Sequence, residues 1–558
     1  MIEFICLFGP AFCYIFFRNK YLEKRNYGNC ELGIIYAMAV VGLNLGCFFV
    51  LKFFGYSGSI SKYFEKDDAA IKWLVCSLLI ILIELIAEKG CSNVSVSILF
   101  NKGRDVAFDK FSTYFIEIYS VVLVCLNFIR VFDRNYSWDE EYSILMVNRN
   151  WSQIISETAV DVHPPLYYFI LKFISHFLGH TGFVYHFVSF IAYVAVILFS
   201  IIIIRKLFGN VAATLFITLS SFLYRAVRYN VEIRMYSWAA FFVLGTFVLF
   251  YLILKRNRYQ DYVLMGIFGL AAAYTHYYAL ISVSFFFIVM IFNAFFRKEK
   301  KCIIGTFISC SIAIIGYLYW LFVLIQTFLR TSNDWWMSFY PKYKDCFQSL
   351  FSGTNEKIYL YSFFLALAIV FIGEIGIVKV QWNDWKVEKI CLNFRLKSLE
   401  VSPFVIWIIS GVVAILGTMT VGIGVSYIFR PLFYVKYMYP VSVVAWLIFA
   451  VCVSKIHYKK LIGLVLLVCM VSGGIKDYSE LFVKDKMQSN VLENTLTKMD
   501  SVINAGGEFL STGDISHSVA VYYPEKELTI ISDTNPDLAV IQPNKLYCFV
   551  GLEKCLKK

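Results

Sequence analysis

The sequence predicts an all-α polytopic membrane protein of about fourteen transmembrane helices with a small C-terminal α/β unit. Three observations predict it. The chain is 59% hydrophobic and only 16% charged, with a mean hydropathy of +0.67, whereas a soluble domain carries about a quarter charged residues. Apolar runs long enough to cross a bilayer recur along most of its 558 residues. Aromatic residues make up 18%, and many Tyr and Trp fall near the ends of the runs, as interfacial belts require.

In chain order the spans are placed at roughly 3–17, 32–53, 71–88, 112–132, 183–204, 211–226, 237–254, 261–275, 278–296, 303–329, 358–378, 403–425, 432–454 and 461–475. Residues 1–110 form a three-span extension, 111–475 hold eleven spans and all the suggestive loops, and 476–558 are polar. In that tail a helix is expected over Asp485 to Ile503, followed by β-rich runs at Glu508–Ser511, Ser518–Tyr523, Glu527–Ile531 and Lys545–Val550. The net charge of +12 is not a nucleic-acid footprint, because the charge follows the loops. Loops on one side carry about 25 Lys and Arg and those on the other about thirteen, which assigns the heavier side to the cytoplasm of a plasma-membrane protein. That orientation puts the N-terminus, the loop 133–165 and the C-terminal unit outside. The basic cluster Arg18 to Arg25 follows the first apolar run instead of preceding it, so the run reads as a span and not as a signal peptide. The 15 cysteines are scattered, mostly inside spans, and read as small hydrophobes. Cys548 and Cys555, both in the tail, are spaced so that a disulfide can form.

The loop after the fourth span concentrates the chemistry. Between Ser137 and Tyr168 stand Asp139, Glu140, Glu141, Glu157, Asp161 and His163. Carboxylates at the mouth of an apolar bundle are costly and point to function. Asp139, adjoining the span end, is the strongest of them; Glu141 and Glu157 read as solvated loop charges. Apolar residues at Tyr142, Leu145 and Met146, and again at Trp151, Ile154 and Ile155, have the spacing of short helices lying in the membrane plane. Pro164-Pro165 break any helix and start a new segment, Leu166 to Leu178.

A second outer loop, Tyr224 to Tyr236, is basic. Arg225 and Arg228 share a helical face, and guanidinium groups at a membrane surface suit either a phosphate or lipid headgroups; Glu232 offers an internal partner. Two further turns contribute Thr275-His276-Tyr277-Tyr278 and Arg430 to Tyr437, where Lys436 either snorkels or reaches a phosphate. Carboxylates and cations meeting on one face suit glycosyl transfer from a lipid phosphate. A carboxylate takes the proton of an acceptor hydroxyl, and cations stabilise the departing phosphate. The sequence has no Gly-rich nucleotide loop, and this chemistry needs none.

At these motifs the chain resembles the GT-C superfamily of membrane glycosyltransferases, in the glycosyltransferase family 39 group that includes dolichyl-phosphate-mannose–protein mannosyltransferases and bacterial aminoarabinose transferases. The features are Trp138-Asp139-Glu140 after a span, Asp161-Val162-His163-Pro164-Pro165-Leu166-Tyr167-Tyr168, Glu232-Ile233-Arg234-Met235-Tyr236, Thr275 to Tyr278, and Lys436-Tyr437-Met438-Tyr439-Pro440. The resemblance covers about residues 111 to 475. Lys436 stands where the family more often has arginine, and Val162-His163-Pro164 stands where the aminoarabinose branch has Glu-Lys-Pro.

The resemblance implies an enzyme using a polyprenyl-phosphate-linked sugar, within membrane lipid and without nucleic acid, whose acceptor is a cell-envelope glycan, a lipid or a protein. Asp139 matches the catalytic acidic residue, with Glu140 beside it. Arg234 and Lys436, joined by Arg228, match donor-phosphate positions. Asp161, His163, Tyr167, His276 and Tyr437 fall to the substrate site. No cofactor is required by the motifs; Asp161 and His163 either shape the sugar site or, with Asp139, hold a divalent cation. Inverting transfer is expected. The alternatives are a polysaccharide polymerase or ligase acting on lipid-linked glycans, and a transporter or flippase, which the absence of mid-membrane polar breaks and internal repeats disfavours.

Overall fold

The computed structural model describes residues 105–132, 136–161, 163–330, 340–374, 378–383, 386–392, 402–456, 459–504, 508–511, 520–523, 528–530 and 547–550. The first three expected spans, Val162 and Cys555 lie outside these residues. The chain divides into two units, one of residues 1–115 with 378–392 and one of 116–377 with 393–558. In the first, the described hairpin pairs β1 (Val378–Asn383) with β2 (Lys386–Leu392) in antiparallel register, with an irregularity between Gln381 and Trp382.

The second unit is a helical bundle. Nine helices among the described residues are long and apolar enough to cross a membrane: Phe115–Phe132, Gly182–Phe208, Tyr236–Arg256, Tyr277–Arg297, Lys300–Thr327, Glu356–Glu374, Pro403–Ile428, Val435–Lys455 and Lys459–Ser501. Two further spans expected in this region are shorter. Asn210–Phe222 is about 20 Å long and Tyr259–Thr275 about 26 Å, against a hydrocarbon core of about 30 Å. The first ends because Leu223 turns to an extended conformation (φ −62°, ψ 138°) and the chain re-enters a separate short helix at Tyr224.

Burial sorts the helices. Val435–Lys455 is almost wholly enclosed, and from Val441 to Val453 every residue is buried. A helix that is apolar all round and enclosed by protein is a bundle core. By contrast Ile303, Phe307, Ile314, Ile315 and Phe322 leave Lys300–Thr327 outward, as a lipid-facing helix requires. Trp407 and Trp446 are completely buried, and each gives its indole N–H to a backbone carbonyl, Phe247 O at 2.9 Å and Leu350 O at 2.6 Å.

Three elements after the first described span, α1 (Phe115–Phe132), follow the expected pattern. Helices α2 (Trp138–Asn148) and α3 (Trp151–Thr158) form, and α4 runs from Leu166 to Leu178 behind the proline pair. Arg149 and Glu157 pair at 2.7 Å between α2 and α3, and Lys172 of α4 donates to Val147 O at 2.9 Å near the C-terminal end of α2.

The polar tail differs from expectation at its start. No separate helix begins at Asp485; the last span continues without a break as one helix, Lys459–Asn504. The glycine pair in it is a close-packing site, not a stop. A Cβ on Gly474 would lie 2.3 Å from Phe222, and one on Gly473 would lie 2.7 Å from Asn355. Beyond the helix, β3 (Glu508–Ser511) pairs in parallel with Leu528–Ile530 on one side and Tyr547–Val550 on the other. Of the expected run Ser518–Tyr523, residues 520–522 are helical.

Candidate active site

Helix α2 begins one residue before Asp139. Its start is fixed by Glu140, whose carboxylate turns back to accept from Ser137 N at 2.8 Å and from Ser137 Oγ at 2.9 Å. The other oxygen of Glu140 accepts from Ile233 N at 3.0 Å. Glu140 is buried and ties the first turn of α2 to the segment 230–235. That segment is anchored at several further points. His186 Nδ1 donates to Val231 O at 2.8 Å, and Asn230 donates to Asn127 Oδ1 at 3.2 Å and Ser220 O at 3.1 Å. Arg130 donates to Val227 O and pairs with Asp485 at 2.8 Å. An irregular stretch of backbone is thereby held at one end of the bundle by these bonds.

The anchoring places Arg234. Its guanidinium is 2% exposed and donates through Nη1 to Asp139 O at 3.0 Å, Ser143 Oγ at 3.3 Å and Tyr168 Oη at 3.4 Å. Nη2 lies 3.3 Å from His163 Nε2. A guanidinium only donates, so His163 accepts at Nε2 and carries its proton on Nδ1, which faces Asp161 Oδ2 at 3.3 Å. The chain Asp161–His163–Arg234–Asp139 is therefore continuous, with a neutral imidazole at its centre. Burial, and next the Arg234 charge, hold the His163 pKa below the usual histidine value.

Lys436 arrives from the opposite end of the sequence. It sits in a 3-10 turn, Val435–Met438, that opens the enclosed core helix, and its Nζ lies 2.9 Å from Asp139 Oδ2. The pair is only 24% and 31% exposed. Burial opposes ionisation of Asp139, but the charges of Arg234 and Lys436 overcome it and hold the carboxyl at about 2. Arg225, read as a cation for phosphate or headgroups, instead donates to Val435 O at 2.9 Å, directly behind Lys436.

His276 completes one wall. Its Nδ1 accepts from Tyr278 N at 3.1 Å, which leaves Nε2 protonated and, at 2% exposure, without a hydrogen-bond partner among the described residues. Tyr236 Oη and Arg234 Nε are likewise buried and unpartnered. The His276 ring lies 5.7 Å from Tyr236, 5.3 Å from Tyr437 and 6.1 Å from His163, and Tyr437 stacks on Tyr278 at 5.2 Å. Burial, then neighbouring His163 and the charges of Arg234 and Lys436, lower the His276 pKa well below the usual value, so it is a neutral donor.

The expected residues thus separate into groups. Asp139, Arg234, Lys436, Asp161, His163, His276 and Tyr437 converge. Arg228 lies at the margin, 45% exposed and paired with Glu232 at 3.0 Å. Tyr167 is fully buried and bonds Ser189 Oγ at 3.1 Å, while its neighbour Tyr168 is the one that meets Arg234. Tyr168, Ser143, Tyr236 and Glu232 belong to the site and were not selected from the sequence. Glu141, expected to be a solvated charge, is buried, because the first turn of α2 faces the protein. Among the described residues no three His, Cys, Asp or Glu side chains gather as a metal-ligand set. Asp139 faces an ammonium and His163 a guanidinium, so the three residues considered for a divalent cation do not fit one.

Residues 162–320 match the family model for dolichyl-phosphate-mannose-protein mannosyltransferase. None of the curated proteins matches the chain. Among solved structures, ArnT from Cupriavidus metallidurans in the apo state is similar at 9% identity over 75% of this chain and 86% of that chain, with a TM-score of 0.48. The same protein bound to undecaprenyl phosphate is similar at 11% identity over 78% and 89%, with a TM-score of 0.46. The matched segment 162–320 contains His163, Arg234 and His276 but neither Asp139 nor Lys436.

Proposed function

We propose that this membrane protein transfers a sugar from a polyprenyl-phosphate donor to a hydroxyl acceptor, with inversion, on the outer face of the membrane. The observation that carries the reading is the meeting of one ionised carboxylate, Asp139, with two cations, Arg234 and Lys436, where several apolar helices begin. Isolated charges there would be costly; a set of opposite sign around unpartnered donors suits an anionic amphiphile. The loops 205–206, 255–258, 297–301 and 455–460 at the opposite helix ends are basic, which supports an outward-facing site.

In the proposed step Asp139 accepts the proton of the acceptor hydroxyl while the hydroxyl oxygen attacks the anomeric carbon from the face opposite the phosphate. The bond from that carbon to the phosphate oxygen breaks, and its electron pair leaves with the lipid phosphate. Lys436 leaves Asp139 for the phosphate when the donor binds, which frees Oδ2 as the base; Arg234 supports both. His276 Nε2 and Tyr236 Oη donate to oxygens of the sugar, Tyr437 offers a ring face to it, and Asp161 fixes His163. Arg228 and Glu232 adjust the local charge, and Glu140 and Tyr167 hold the frame. No step passes through a metal ion.

The test is incubation of the detergent-solubilised protein with labelled polyprenyl-phosphate sugars and a cell-envelope extract as acceptor source. Release of polyprenyl phosphate together with labelled product supports the reading. Transfer of whole lipid-linked glycans, or movement of intact lipid across a vesicle membrane with no cleavage, contradicts it.

A further inference from the structure

The described C-terminal residues 520–523 reach back to the entry of α2. Tyr522 stacks on Tyr136 with ring centroids 5.7 Å apart and planes 22° apart, and its hydroxyl accepts from Tyr136 N at 3.5 Å. Tyr136 stacks in turn on His186, at 5.8 Å and 30°. Its hydroxyl lies so near Gly182 that a Cβ there would fall 2.0 Å from it, so the glycine makes the seat for the ring. His186 holds Val231 O, and its Nδ1 is 3.9 Å from Glu140 Oε1. On the far side Tyr523 donates to Leu496 O at 3.2 Å and Asp500 Oδ1 at 2.8 Å, fixing the segment to the helix Lys459–Asn504. Burial raises the Tyr522 pKa, and the charge of buried Glu141 in the first turn of α2 adds to it.

We infer that Tyr522 is a positioning residue for Asp139. Three stacked rings, Tyr522–Tyr136–His186, close the first turn of α2 against both the tail and the segment that carries Arg234. The tail is then not a separate appendage but a brace that sets the angle at which Asp139 enters the site. The inference rests on the proposed function for its catalytic consequence and on geometry alone for the brace. A displacement of about 1 Å at a reacting group can cost up to about a hundredfold in rate, which is the scale on which such a brace matters.

Hydrogen exchange of the full-length protein in lipid nanodiscs, read at residues 137–141, tests the brace without any assay of transfer. Tyr522→Ala should speed exchange there about tenfold by lowering local stability, while Tyr522→Phe, which keeps the ring, should leave it within about twofold. Tyr136→Leu should reproduce the alanine effect and add little to it in the double variant, as residues in one contact do. Unchanged exchange in Tyr522→Ala, or effects of the two variants that simply add, overturns the brace. If either single variant does not fold, the other decides by the same reading. With transfer measured, Tyr522→Ala should lower turnover about tenfold with little change in donor affinity. Loss of donor affinity with turnover of the bound complex unchanged contradicts a role in placing Asp139. A wild-type protein with no transfer at all would remove the catalytic consequence and leave the exchange result standing.

Discussion

Lys436 Nζ lies 2.9 Å from Asp139 Oδ2, across 297 residues of sequence. The two residues belong to different ends of the catalytic unit and meet only because the enclosed core helix starts where α2 begins. Removing the ammonium should weaken donor binding more than it disturbs the fold. Lys436→Met is expected to lower affinity for a polyprenyl-phosphate sugar by about ten- to a hundredfold, the scale of a charged hydrogen bond. Lys436→Arg should restore most of it. Titration of tryptophan fluorescence with donor lipid checks both.

Glu232 gives a pH dependence whose sign is fixed. Burial, opposed by Arg228 and reinforced by Glu140, raises its pKa from 4.5 to about 7. A carboxyl with a raised folded-state value favours the fold most below its ordinary pKa, and that contribution is lost as pH rises through about 7. Protonated Glu232 leaves the charge of Arg228 uncompensated. Binding of the phosphodiester donor, which does not titrate in this range, should therefore tighten as pH falls through about 7. Glu232→Gln should flatten the profile. Asp139, held at about 2, should contribute no limb between about pH 4 and pH 9.

Glu140 and Asp139 are neighbours with opposite roles. Glu140 accepts three hydrogen bonds of the frame, and Glu140→Ala would leave buried donors unmatched at about 1–3 kcal/mol each. The variant should melt at lower temperature and lose transfer together. A variant with wild-type thermal stability and no transfer would instead put Glu140 in contact with substrate.

His276 and Tyr236 should discriminate the sugar from the lipid. Tyr236→Phe and His276→Phe remove donors that have no hydrogen-bond partner among the described residues. Each should weaken binding of a polyprenyl-phosphate sugar by about five- to tenfold, the value of a neutral hydrogen bond, while bare polyprenyl phosphate binds as before. Equal losses for both lipids would move these donors to the phosphate.

Much of this was legible in the sequence, and the limits have physical causes. Hydropathy gave the long spans because crossing lipid requires them, and the motifs at Asp139, His163, Arg234, His276 and Lys436 stand out as charge and imidazole beside apolar runs. The sequence does not say which lone pair or proton each group uses. Arg225 and Arg228 look alike in a pattern, yet one holds Val435 O and the other Glu232. Tyr167 and Tyr168 are adjacent, and only the direction of α4 decides that Tyr168 meets Arg234. At Gly473-Gly474 the sequence does not show that Phe222 and Asn355 pack against the helix. Glu141 looks solvated until the first turn of α2 is placed.

The most direct measurement is single-turnover transfer by Asp139→Asn beside a binding isotherm for the same labelled polyprenyl-phosphate sugar. The account predicts that transfer falls by about 10²–10⁴-fold, the contribution of a general base, while donor affinity stays within about threefold. Transfer at the wild-type rate would contradict it, because Asp139 is the carboxylate that pairs with Lys436 beside Arg234.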